Sequence, residues 1–195
     1  MNDVIDTIDR DGITVNILID MFDHECPLEW SEGAVIFATF ERESILTDMH
    51  PFDDPAEALQ WSKDNKWLCM PLFKYEHGLV QYATSGFSCP WDSWQAGYIL
   101  VNPAECPDPA KYAASVCESV TDWCNGSVYC YEVTYSDGET GDTLGGIYGY
   151  EYAQQEAEKA LRHACDTAHQ QDNDRMAALM AACPVGRRAT YAGYA

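Results

Sequence analysis

Ile13-Thr14-Val15-Asn16-Ile17-Leu18-Ile19 is the stretch from which the fold can be read. Ile13, Val15, Ile17 and Ile19 occupy alternate positions, with Thr14, Asn16 and Leu18 between them. A strand turns successive side chains to opposite faces, so this spacing predicts a strand with one face buried. A second β-rich run, Ala34-Val35-Ile36-Phe37-Ala38-Thr39-Phe40, is apolar without a break and predicts a central strand.

Working outward, Asp54 and Pro55 supply a cap and a first-turn residue for a helix that ends near Asn65. Trp67–Tyr75 and Leu79–Thr84 predict a hairpin turning near His77-Gly78, and Gly97–Val101 predicts another strand. Ala113, Val116, Cys117, Val120 and Trp123 recur at helical spacing within Ala110–Cys124, and Asn125-Gly126 closes that helix. Ser127–Tyr135 and Leu144–Tyr150 predict a hairpin about Asp137-Gly138. A helix over Tyr152–His169 and a short one over Asn173–Ala182 complete the chain. The expected fold is α+β: a mixed, largely antiparallel sheet with two or three helices packed on one face. The expected organisation is a single acidic domain over residues 1–185 with a loose tail at 186–195, where no apolar periodicity remains.

The charge is unusual. Among 195 residues, 32 acids face 11 bases for a net −21, while the 47 % hydrophobic and 12 % aromatic content is that of a chain with a real core. A compact protein of this length is about 40 Å across, and duplex DNA of that length carries roughly 25 phosphates. The total charge is therefore DNA-like, but it must be concentrated on one face to imitate DNA. Residues 1–57 hold 15 acids and 2 bases, against 6 and 5 in residues 151–195. The N-terminal acids Asp3, Asp6, Asp9, Asp11, Asp20, Asp23, Glu25, Glu29, Glu32, Glu41 and Glu43 are accordingly the candidate partner-binding residues.

Met1–Asp6 contains neither a basic region nor an apolar stretch suited to export, and no run approaches the ~20 apolar residues of a membrane span. Such acidity repels anionic membranes. Nine cysteines, an odd number, in a chain of this size read as reduced and mostly packed thiols, so the expected location is a reducing host-cell cytoplasm.

Thr84-Ser85-Gly86-Phe87-Ser88-Cys89-Pro90-Trp91-Asp92-Ser93, followed by Gly97-Tyr98-Ile99-Leu100-Val101, resembles a motif of uncharacterised small proteins of bacteriophages and other mobile elements. Pro27-Leu28-Glu29-Trp30, Gly126-Ser127-Val128-Tyr129-Cys130-Tyr131 and Gly145-Gly146-Ile147-Tyr148-Gly149 are similar to further segments of that family. The resemblance spans roughly residues 20–150, with Phe87, Ser88, Cys89, Pro90, Trp91, Asp92 and Ser93 as its most specific block. It implies a mobile-element origin. Where that family has a basic His-Arg-Arg run, Phe40-Glu41-Arg42-Glu43 stands here.

Cys89 is the sharpest catalytic candidate, since a thiol in a Gly/Pro-flanked loop with His77 as base could serve as a nucleophile. Its neighbourhood offers Asp92 rather than the cation that lowers a thiol pKa, which favours a structural loop in which Trp91 packs and Asp92 or Ser93 caps backbone amides. No cofactor or metal is expected. Cys117, Cys124 and Cys130 lack a close Cys-x-x-Cys pair, His24-Glu25-Cys26-Pro27 has no later Pro-Cys-x-x-Cys, and His163 and His169 are six apart. Gly141–Gly149 has no basic residue to hold phosphate.

Three functions compete. The first is an acidic, DNA-mimic-like inhibitor of a host defence nucleoprotein, anti-restriction or anti-CRISPR, whose partner is a basic nucleic-acid-binding protein rather than nucleic acid itself. The second is a small modifying enzyme built on the Cys89 loop with Trp91, Trp94 and Tyr98. The third is an oligomeric structural protein.

Overall fold

The computed structural model describes residues 3–22, 24–31, 33–41, 46 and 49–183. The expected tail at 186–195 lies outside them, as do Asp23, Glu32 and Glu43. Within the span read as one domain, the chain groups into two compact units. The first comprises Met1–Asp20, Tyr129–Ile147 and Glu151–Ala195, and the second comprises Met21–Val128 with Tyr148–Tyr150.

The α+β class, the antiparallel pairing and three helices are present as expected, but the strands form two four-stranded sheets. In the first unit β1 (Val4–Arg10), β2 (Ile13–Ile19), β7 (Val128–Thr134) and β8 (Thr140–Tyr148) lie in that order. The alternation that predicts β2 is realised: Ile13, Val15 and Ile17 are buried, while Thr14, Asn16 and Leu18 are half-buried on the other face. β1 was not anticipated, and β8 begins at Thr140 rather than Leu144.

The two helices expected near the C-terminus are one, α3 (Tyr150–Ala182). Its stretch from His169 to Asp174 is polar but contains neither Gly nor Pro, and Gln170 donates to Asp174 across one turn (2.9 Å), so nothing breaks the helix. Ala153, Ala157, Leu161, Ala164 and Cys165 form its buried stripe. Gln154 donates to Asp6 (3.2 Å) and the Cys165 thiol to the Arg10 carbonyl (3.8 Å). Eleven helical residues rise about 16 Å and four strand residues about 13 Å, so α3 runs beside β1 in the same direction.

In the second unit the order is β3 (Val35–Thr39), β6 (Ser93–Val101), β4 (Leu68–His77) and β5 (Leu79–Ala83). Here helices cover both faces. α2 (Pro109–Cys124) buries Ala113, Cys117 and Val120 against Val35, Phe37, Leu72, Ile99 and Val101. α1 (Pro55–Asn65) joins the opposite cluster, in which Ala58, Phe52 and Trp61 meet Ala38, Leu100 and Cys69. The unbroken apolar runs of β3 and β6 require this arrangement, since every residue of such a strand needs cover. A register shift between Leu72 and Phe73 leaves Ala96 as an extra residue in β6. That bulge turns Trp94 onto the face of Lys74, whose ammonium lies 5.4 Å from the indole ring centre.

Candidate functional site

The charged surface is built by two turns. β1 and β2 are joined by Asp11 and Gly12, both with positive φ (52° and 76°), the two-residue turn whose twist matches a hairpin. β7 and β8 are joined around Asp137 and Gly138: the Gly138 amide donates to Tyr135, the Tyr135 amide to Glu139, and the Glu139 amide to the Asp137 carboxylate, all at 2.9–3.0 Å. Because Thr14 pairs with Thr134, both turns come to one end of the sheet, and a Cβ on Gly12 would stand 3.4 Å from that of Ser136.

Asp9, Asp11, Asp137 and Glu139 are exposed at or beside that end. On the face opposite the buried one, Thr14 donates to Asp9 (2.6 Å), Thr7 to Asn16 (2.9 Å) and Thr140 to Glu132 (3.3 Å). The hydroxyls thus fix carboxylates while leaving the charge exposed. From strand spacing and register, Asp9 and Glu132 are about 12 Å apart, beyond the Debye length of about 8 Å in physiological salt, so their fields add appreciably only at low ionic strength. The stretches Met1–Asp20 and Tyr129–Ile147 together contain Asp3, Asp6, Asp9, Asp11, Asp20, Glu132, Asp137, Glu139 and Asp142 against Arg10 alone.

The acids expected to bind a partner do not all face outward. Asp20 is buried (8 % exposed) and accepts the Gly146 amide (2.9 Å). A Cβ on Gly145 would lie 2.6 Å from its Oδ2, so the missing side chain makes room for the carboxylate. Glu41 accepts the Trp94 indole N–H (2.6 Å) and the Lys74 ammonium (3.3 Å), and Asp6 accepts Gln154. These three hold structure because a carboxylate taken out of water requires donors. Burial acts to lower the Lys74 pKa, but the carboxylates of Glu76 and Glu41 outweigh it and the net direction is up. Asp3, Asp9 and Asp11 in the first unit, and Glu25 and Glu29 in the second, are exposed. Glu132, Asp137 and Glu139 were missed. The Asp137-Gly138 turn was visible, but the long-range β2–β7 pairing that places it beside Asp11 was not.

The Cys89 loop is arranged around Asp92. The thiol donates to Asp92 Oδ2 (3.3 Å), His77 Nδ1 lies 3.6 Å from the same oxygen, the Asp92 carbonyl accepts the Glu76 amide, and Ser93 donates to the Cys89 carbonyl. The carboxylate therefore stands where a base would meet the thiol. Phe87 packs on Tyr75 with ring centres 5.7 Å apart, and Ser93 already belongs to β6. Pro90 and Ser88 are exposed, and Trp91, expected to pack, is 91 % exposed at the loop's tip.

All nine cysteines stand outside disulfides, each buried or half-buried. Burial pushes the Cys117 thiol up to about 12 and Cys124 to about 11, so both are inert as nucleophiles. Among the described residues no group of three His, Cys, Asp or Glu could hold a metal ion, and no helix is long and apolar enough to cross a membrane.

No protein-family model matches the chain, and comparison with curated proteins and with solved structures also finds no match.

Proposed function

We propose that the protein is an accessory protein of a phage or other mobile element, an acidic, DNA-mimic-like inhibitor that occupies the nucleic-acid-binding surface of a basic host defence protein in the host cytoplasm. One observation carries this reading: the strands and hairpin turns of the first sheet hold seven carboxylates against a single guanidinium, and the two turns bring Asp9, Asp11, Asp137 and Glu139 to one end of it. By contrast α3 is closer to balance, with six acids and three bases. A concentrated negative surface steers toward a basic cleft and gains salt-sensitive affinity there. The fixed carboxylates also lose little side-chain freedom when they bind.

The test compares the wild type with the combined variant Asp9→Asn, Asp11→Asn, Asp137→Asn, Glu139→Gln as bait in host cytoplasm at low and high salt. The wild type is expected to retain a basic nucleic-acid-handling protein at low salt only, and the variant to lose it while keeping its circular dichroism spectrum. Equal capture by both baits, or capture indifferent to salt, would remove the acidic sheet from the binding surface.

A further inference from the structure

Within the second unit, Trp30 and Tyr148 stand with ring centres 5.5 Å apart and planes tilted by 51°. Together with Tyr112 of α2 they line a cavity of about 230 Å³ between the Pro27–Trp30 turn and that helix. The indole N–H of Trp30 donates to the Glu25 carboxylate (3.2 Å), and the Tyr148 hydroxyl donates to the Glu25 carbonyl (3.0 Å). Two lining serines are also committed: Ser31 donates to the Leu28 carbonyl (2.8 Å) and Ser115 to that of Tyr112 (2.9 Å).

The polar edges of both rings are thus tied to residue 25. The rings are held in place, and what they present to a ligand is their faces. The donors of Trp30, Tyr148, Ser31 and Ser115 are all spent on the protein's own oxygens, so the lining offers π-faces and oxygen lone pairs, with the Tyr112 and Ser119 hydroxyls beside them. Among the described residues no basic side chain lines the cavity. An anion would find neither a cation nor those four donors.

The complementary ligand is a cation that carries N–H donors and tolerates desolvation. A guanidinium meets both conditions: it stacks on aromatic faces, offers five N–H groups and is more weakly hydrated than an ammonium. The Glu25 carboxylate at the indole edge and the net charge of −21 act in the same direction. We infer that this cavity receives the guanidinium of an arginine side chain presented by a partner protein. The site belongs to the second unit and its test needs no host partner, so its failure and that of the acidic-sheet reading are separate results.

The probe is N-acetylarginine amide, titrated into the full chain at constant ionic strength and followed by the NMR signals of the Trp30 indole N–H and of the lining backbone amides of Tyr112, Ser115 and Val116, which remain in Trp30 variants. N-acetyllysine amide and tetramethylammonium serve as comparators. A saturable shift at Trp30 is expected with the arginine probe, and weaker binding of both comparators. Trp30→Ala should weaken binding about tenfold, as loss of a partly desolvated cation–π contact implies, while Trp30→Phe, which keeps an aromatic face, should retain most of it. Overturning results are an unsaturable shift, equal affinity for the lysine and arginine probes, tighter binding of tetramethylammonium, or unchanged affinity in Trp30→Ala.

Discussion

Replacing Gly97 by alanine tests how the second sheet is assembled. Gly97 pairs with Thr39 of β3 on one side and Leu72 of β4 on the other. A Cβ at this position would lie 1.9 Å from the Ala38 carbonyl oxygen and 2.9 Å from its carbon. Ordinary contact begins near 3.4 Å, so the β3 backbone must retreat by about 1.5 Å. A ladder hydrogen bond near 2.9 Å would stretch to about 4.4 Å and cease to exist. Losing two such bonds in a buried strand pair, each leaving groups unpaired, costs about 3–5 kcal/mol. Gly97 is not among the positive-φ glycines, so no backbone strain is mixed into that figure. Gly33, with φ of 80° and nothing within 4 Å, is the control: its alanine variant meets only the left-handed penalty of about 1–2 kcal/mol. Urea unfolding followed by tryptophan fluorescence, with hydrogen exchange at the β3 and β6 amides, would measure both. A Gly97→Ala loss below about 1 kcal/mol would refute the close approach of β3 to β6.

Asp20→Ala should destabilise the first unit by about 1–3 kcal/mol, because the Gly146 amide loses its carboxylate partner, and hydrogen exchange at Gly146 would report it. Asp54 caps α1 by accepting from the Ala56 (2.7 Å) and Glu57 (2.9 Å) amides, so Asp54→Ala should cost about 1 kcal/mol in thermal or urea unfolding. The Cys117 thiol, raised from 9.0 to about 12 chiefly by burial, contributes stability that is complete below pH 9 and is lost as pH climbs toward 12. Cys117→Ala should flatten that alkaline decline in a pH series of unfolding curves, and an unchanged decline would assign it elsewhere.

Local signals were legible where neighbours alone decide the outcome. Asp54-Pro55 starts α1 and Asp137-Gly138 turns β7 into β8, because a cap or a turn is complete within four residues. β1 was hidden because Asp3, Asp6 and Asp9 recur every third residue, which matches no half-buried strand. The division into two sheets was hidden for a different reason. The first unit draws on separate stretches of chain, so its boundary is set by the pairing of β2 with β7 and crosses no linker. The site suffered most. Asp20 reads as one more surface acid until Gly146, 126 residues away, proves to be its donor. Trp91 reads as a core residue because large aromatics usually are, yet it stands in solvent.

β1 has one further consequence, for solubility. Among the described residues it is an outermost strand of its sheet, and Val4 and Ile5 are exposed on it. Such a strand is a template onto which a second chain can add itself. Its register with β2 shifts between Val4 and Asp6, and an acid stands at or beside the strand at residues 3, 6 and 9. The irregularity and the repeated charge act as gatekeepers against fibrous stacking. These acids oppose polymerisation, and variants that neutralise Asp3 or Asp6 should be assayed for light scattering before any loss of binding is attributed to a lost contact.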